Sequence, residues 1–133
     1  MNSNHVTVAV CTFNRQQLLK PALESLMHLR TNPSFDYDIV LVDDASTDGT
    51  LAVAHSMQAL SPVEFHYLQH IQNMGVAAAR NTCIQNARGE WVAFFDDDQI
   101  ADQNWLINLL TTAKATGADC IGGSYHILLE PGS

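Results

Sequence analysis

Short apolar runs that stop on polar clusters constrain this chain most. Val6-Thr7-Val8-Ala9-Val10-Cys11, Ile39-Val40-Leu41-Val42 and Trp91-Val92-Ala93-Phe94-Phe95 are compact stretches rich in β-branched and aromatic residues. They read as strands buried on both faces, because a half-wet strand would alternate with polar residues. Between the first two, Leu19, Leu23, Leu26 and Met27 fall on one helical face up to about Leu29. Asn14 is offered as the N-cap of that helix, and Pro21 predicts a kink or a late start. Further helices are expected over 47–60, 76–87 and 103–116. The second is stopped by Gly89, and the last turns Leu106, Leu109, Leu110 and Ala113 inward. Strands are expected over 64–68 and, after Gly117, near 119–121. Short strands alternating with helices give βαβ units, hence a Rossmann-like α/β fold with a mostly parallel sheet flanked by helices.

Length and charge narrow the function. With 133 residues, 47% of them apolar, the chain supports one core, so 1–133 reads as a single domain. Six basic residues against 14 acidic ones leave a formal charge of −8 and no basic stripe, which argues against nucleic acid as a partner. The longest apolar run, Trp91 to Phe95, is too short for a transmembrane segment, and residues 1–5 lack a signal-peptide layout. Cys11, Cys83 and Cys120 contain no CxxC pair and read as buried, reduced thiols of a cytoplasmic protein. Six scattered histidines show no zinc spacing.

In open parallel sheets, ligands bind beyond the carboxyl ends of the strands. There the chain places Thr12-Phe13-Asn14-Arg15, Asp43-Asp44-Ala45-Ser46 and Asp96-Asp97-Asp98. Three adjacent carboxylates repel one another and call for a cation. Magnesium or manganese, bound by one or two carboxylates and completed by substrate phosphates, fits that supply. Alternation at a strand end would aim Asp96 and Asp98 into one pocket and Asp97 into another. A plain solvated loop is the competing reading, with Asp102 capping the helix that follows. Two acid clusters at parallel strand ends favour a site. A calcium loop from Asp44 to Gly49 fails, because His55 occupies the twelfth place, which needs a glutamate. A dinucleotide fold fails too, because the turn after the first strand has no glycine. Trp105 is expected to pack a helix on the sheet, Trp91 to begin a strand at the surface, and His126 to be an exposed strand residue.

Val8-Ala9-Val10-Cys11-Thr12-Phe13-Asn14-Arg15, Val42 through Thr50, Asn73-Met74-Gly75 with Ala79-Arg80-Asn81, and Gly89-Glu90-Trp91 through Asp98 resemble the successive blocks of family 2 glycosyltransferases. Cys11 departs from the proline frequent there. The resemblance covers 6–106 and implies the GT-A fold and inverting sugar transfer from a metal-bound nucleoside-diphosphate sugar, a UDP-sugar, to an acceptor hydroxyl. By that likeness the aspartate run is the DXD motif. Asp98 resembles the acid that binds Mn2+ or Mg2+ with help from Asp96, while Asp96 and Asp97 resemble partners holding metal water or the ribose. Asp44 is similar to the acid that reads the nucleobase at uracil N3. Thr12, Asn14 and Arg15 line the same end, and Arg80 stands either at the diphosphate or simply on a helix surface.

The acceptor, whether saccharide, lipid or protein, is not specified. The general base is expected outside the chain, because among the later acids Asp102 caps a helix, Asp119 begins an edge strand and Glu130 adjoins Pro131-Gly132. Residues 1–133 then look like the amino-terminal, nucleotide-sugar-binding portion of a longer fold, with a homodimer expected to cover exposed apolar surface. A peripheral position at the inner membrane face is compatible with this reading. Two alternatives come from other classes. One is a non-catalytic nucleotide-sugar-binding module. The other is a nucleotidyltransferase, which would want a glycine-rich basic loop after the first strand.

Overall fold

A computed structural model describes residues 4–116, 120–122 and 127–129. The elements are β1 (Asn4–Thr12), α1 (Gln16–Met27), β2 (Phe35–Asp43), α2 (Thr50–Leu60), β3 (Phe65–Gln69), α3 (Val76–Gln85), β4 (Trp91–Asp96), α4 (Trp105–Thr116), β5 (Cys120–Gly122) and β6 (Ile127–Leu129). They build one sheet in the order β3-β2-β1-β4-β6-β5. Strands β1 to β4 are parallel, and β6 is antiparallel to both β4 and β5. The α/β fold expected from the sequence is therefore present. The expectation missed β6, which is inserted between β4 and β5. Asp119, Gly117, His126 and Glu130 lie outside the described residues.

Side-chain alternation sorts the two cores. Val6, Val8 and Val10 of β1 and Ile39 and Leu41 of β2 face α1, α2 and α4, and join Leu19, Leu23, Leu26, Met57, Leu106, Leu109 and Leu110 in the larger cluster. Ala9, Val40, Val42 and Val92 point the other way, against Ala79 and Cys83 of α3. Alanine-rich α3 thus lies close on the thin side of the sheet. Trp105 packs edge-on to Phe95 with ring centroids 5.0 Å apart. Trp91 begins β4 half-buried against the larger core rather than at the surface.

Three local readings change. Asn14 does not cap α1, because it adopts a positive φ of 50° and its side chain is turned toward Thr47; Arg15 holds the cap position without a side-chain bond. Helix α2 starts at Thr50 rather than at 47, because Asp48 accepts from the Thr50 backbone N–H and hydroxyl and from the Gln16 N–H. Gly89 does not end α3, which stops at Gln85 with Asn86 as its cap. Its lack of a side chain serves a close approach instead. A Cβ there would lie 2.6 Å from the His5 carbonyl oxygen, 2.7 Å from the Thr7 nitrogen and 2.8 Å from the Trp91 carbonyl oxygen. All three are backbone atoms of β1 and β4. Gly89→Ala is expected to cost about 3 kcal/mol by urea unfolding, at the upper end of overpacking penalties. A change below about 1 kcal/mol would contradict this tight approach.

His5 joins β1 to β2 through Asp36 at 2.6 Å and the buried Asp38 at 2.9 Å. Burial opposes its charge, but the hydrogen bonds and charges of Asp36 and Asp38 outweigh burial and raise its pKa above 6.5. A raised folded-state pKa stabilises fully below the unfolded value and is lost as pH climbs through the folded value. Stability should therefore fall on moving upward from about pH 6.5. His5→Gln should flatten that part of the profile in denaturant midpoints, and an unchanged slope in the variant would refute the assignment.

Candidate functional site

Strand order places the site. The chain builds β1, β2 and β3 outward in one direction and then returns to lay β4 on the other side of β1. That reversal opens a crevice at the carboxyl ends of β1 and β4. Register puts Thr12 beside Asp43, and Cys11 beside Asp96. The three polar clusters read from the sequence therefore lie on one edge.

A cleft of about 340 Å³ opens there, lined by Cys11, Thr12, Phe13, Arg15, Asp44, Asn73, Gly75, Val76, Ala79 and Asp97. A smaller cavity of about 150 Å³ adjoins it, sharing Cys11, Val76 and Asp97 and adding Arg80, Phe94, Phe95 and Asp96. Asn14 lies outside both, in a depression with Arg15, Gln16, Gln17, Leu18 and Asp48. Arg80 is exposed, with its guanidinium carbon 5.7 Å above the Phe94 ring.

The aspartates are not shared out by simple alternation. Strand β4 ends at Asp96, and the next residues turn, with the Gln99 N–H donating to the Asp96 carbonyl at 3.4 Å. The turn rotates Asp97 out of strand register. Asp96 and Asp97 consequently line the same cavity, while exposed Asp98 meets Arg15 Nη1 at 3.4 Å. Burial, opposed by the Thr12 hydroxyl and the Arg15 guanidinium, holds the Asp97 carboxyl above its usual range. Thr12 Oγ1 is buried and makes no hydrogen bond of normal geometry among the described residues. A crowded set of carboxylates beside a buried hydroxyl suits a hard, oxygen-preferring cation.

The two acids ending β2 have different surroundings. Asp43 is completely buried and does not line the cleft, so its hydrogen bonds stay within the protein. Its Oδ1 accepts from the Ser46 N–H at 2.9 Å and hydroxyl at 2.6 Å, and its Oδ2 accepts from the Tyr67 hydroxyl at 2.6 Å. Asp44 Oδ1 takes His70 Nδ1 at 2.7 Å and the Met74 N–H at 2.9 Å, and Oδ2 takes the Gly75 N–H at 2.8 Å. Burial would raise the Asp44 pKa, but these three hydrogen bonds outweigh it and hold the carboxyl below its usual range. A carboxylate has about four acceptor positions, so one on Oδ2 is left toward the cleft. Gly75 can aim its N–H this way because its φ is 97°, a conformation side chains resist. Ala45, at φ 66°, has no such freedom and stores strain beside Asp44.

His70 and Val76 carried no signal in the sequence reading. Asn73-Met74-Gly75 drew attention only through the family resemblance, although an Asn-x-Gly segment after a strand is a turn signal in its own right.

Known proteins share this fold. The succinoglycan biosynthesis protein ExoM of Rhizobium meliloti is 29% identical over 119 residues, 90% of this chain and 38% of ExoM. The crystal structure of S. aureus TarS 1-349 in complex with UDP-GlcNAc superposes with a TM-score of 0.76 at 26% identity, over 90% of this chain and 33% of that one. The mannosyltransferase PcManGT from Pyrobaculum calidifontis, solved with GDP-Man and Mn2+, shares the fold with a TM-score of 0.85 at 21% identity, over 96% of this chain and 44% of its own. The chain thus spans about two fifths of ExoM's length and a third of TarS 1-349. The model for glycosyl transferase family 2 matches residues 7–128, and the chain belongs to that family.

Proposed function

We propose that residues 1–133 form one donor-binding domain of an inverting glycosyltransferase that takes a UDP-sugar and hands the sugar to an acceptor hydroxyl. The observation that carries this reading is the convergence of Asp96, Asp97 and Asp98 with Thr12, Arg15 and Asp44 at the β1/β4 crevice. The likeness to TarS, solved with UDP-GlcNAc, supports uridine as the base.

On this reading the uracil end lies against Asp44, whose remaining acceptor position takes the N3 proton, with Asn73 and Thr12 beside it. Asp96 and Asp97 hold the ribose and metal water. Asp98, with Asp96, would hold manganese or magnesium, which when bound stabilises the charge of the departing diphosphate. Arg15 and Arg80 supply cationic side chains near that charge, and Asn14 fixes the loop carrying Arg15 through the Thr47 N–H at 2.8 Å. Met74 and Val76 are exposed at the cleft rim, where contact with a saccharide, lipid or protein acceptor, or with a second copy of the chain, would be made. Helix α4 begins at Trp105 rather than at 103, so Asp102 does not cap it but accepts from the Asn104 N–H at 2.8 Å in the turn before it; so engaged, it leaves the general base to be sought elsewhere.

No helix among the described residues is long and apolar enough to cross a membrane. A cytoplasmic setting, at the inner membrane face where the acceptor is a lipid, fits free thiols such as Cys11 and Cys83, whose sulfurs approach to 3.7 Å.

Calorimetry with UDP-GlcNAc and manganese tests the donor half of this reading. Saturable binding that favours UDP over GDP is expected. Absence of binding to any nucleoside diphosphate would sink it.

A further inference from the structure

Away from the cleft, on the α3 side of the sheet, Asp38, Glu64 and His66 bring three donor atoms within 4.8 Å of one another. Asp38 lies in the first half of β2, five residues before Asp43, which is roughly 16 Å back along the strand from the site edge. His66 pairs in register with Val40 on the neighbouring strand, so both side chains leave the same face. Glu64 immediately precedes β3 and lies across from Asp38.

The individual atoms are informative. Asp38 is 1% exposed, and its Oδ1 is fixed by Thr7 Oγ1 at 2.7 Å and His5 Nε2 at 2.9 Å. Its Oδ2 is buried and has no hydrogen-bond partner among the described residues, and the same is true of His66 Nε2. These two orphaned atoms face each other at 3.8 Å, and His66 Nε2 is 3.5 Å from Glu64 Oε2. Leaving buried polar atoms unpaired is costly, so an arrangement that holds them in place calls for an occupant.

We infer that Asp38, Glu64 and His66 form a second, structural cation site suited to zinc, separate from the aspartate cluster. A tetrahedral zinc with nitrogen and oxygen ligands sets neighbouring donors about 3.4 Å apart, close to the separations found here. Imidazole disfavours magnesium and calcium, which want oxygen alone. The hydrogen bonds from Thr7 and His5 act as outer supports, holding the Asp38 carboxylate so that one oxygen is free to ligate. A water completes the coordination on the exposed Glu64 side. Arg88 Nη1, 3.2 Å from Glu64 Oε2, competes for that oxygen, but both side chains are about two-thirds exposed and the pair is easily exchanged. Zinc here would tie β2 to β3 at the edge opposite the cleft and leave donor chemistry untouched.

Metal-stripped full chain carrying Asp98→Ala, which removes uptake at the cleft, separates the two sites. Titration with zinc should raise the thermal midpoint, and cobalt should give the intense visible absorption of a four-coordinate ion. Adding His66→Gln should weaken zinc binding at least tenfold. Arg88→Ala, on a residue too exposed to threaten folding, should strengthen it. In a chain with Asp98 intact, His66→Gln should bind UDP with manganese as the parent does, which keeps the outcome independent of the proposed donor function. Absence of zinc uptake, zinc affinity unchanged by His66→Gln, or loss of UDP binding in that variant would each overturn the assignment.

Discussion

Asp98→Ala should remove the manganese-dependent part of UDP binding, weakening Kd roughly a hundredfold, or about 2.7 kcal/mol. Asp98 is the most accessible of the three aspartates, and the turn that begins after β4 sets it apart from Asp96 and Asp97. Without a cation, three carboxylates facing a diphosphate repel it, and Arg15 spends its charge on Asp98 at 3.4 Å. With a cation, the same acids become an attractive surface and Arg15 is freed toward the phosphates. Calorimetry of parent and variant, in manganese and in chelator, separates the contributions. Chelator should reduce the parent to the level of the variant, and the variant should respond little to chelator. Undiminished UDP affinity of the parent in chelator would end the metal-bridge argument, whatever the variant does.

The second large effect is expected at Asp44, where two roles meet on one carboxylate. Its three accepted hydrogen bonds pin His70, Met74 and Gly75, and its last acceptor position is assigned to the base. Asp44→Ala leaves those backbone N–H groups without their partner in a partly buried setting and should cost about 2 kcal/mol of stability together with at least tenfold in UDP affinity. Asp44→Asn keeps the size but replaces one acceptor by a donor that confronts the Gly75 or Met74 N–H, so the loss should be partial. Base preference distinguishes recognition from mere loop damage. Uracil offers an N–H at N3 and cytosine offers a lone pair, so the Asn variant should narrow the preference for UDP over CDP. A preference that stays at the parental ratio in both variants would place base reading elsewhere. The folded carboxyl is held below its usual range. Its stabilisation is therefore present above about pH 4 and disappears as pH falls through the folded value.

Much of the architecture was legible in the sequence because it rests on local periodicity. The β-branched runs ending at Cys11, Val42 and Phe95 had to be buried strands, and the leucines of α1 and α4 had to face inward, as Leu19, Leu23, Leu26, Leu106, Leu109 and Leu110 do. The carboxylates at strand ends were also readable, because a strand must stop somewhere and polar residues mark the place. What the sequence alone could not determine was every relation between distant segments. Strand order decides that the end of β4 adjoins the end of β1, and so which clusters share a cleft. The turn after Asp96 decides which aspartates share a cavity. Asp43 and Asp44 are neighbours of one type, yet Tyr67 and Ser46 consume the first while a loop some thirty residues on organises the second. Gly89 looked like a helix stop and is instead a contact with β1, and Asn14 looked like a cap and instead holds Thr47. The insertion of β6 between β4 and β5 had no local signature either. Periodicity is set by bonds between neighbours in the chain. Register, hydrogen-bond partners and the charge around a carboxylate are set by groups that meet only once the sheet has closed.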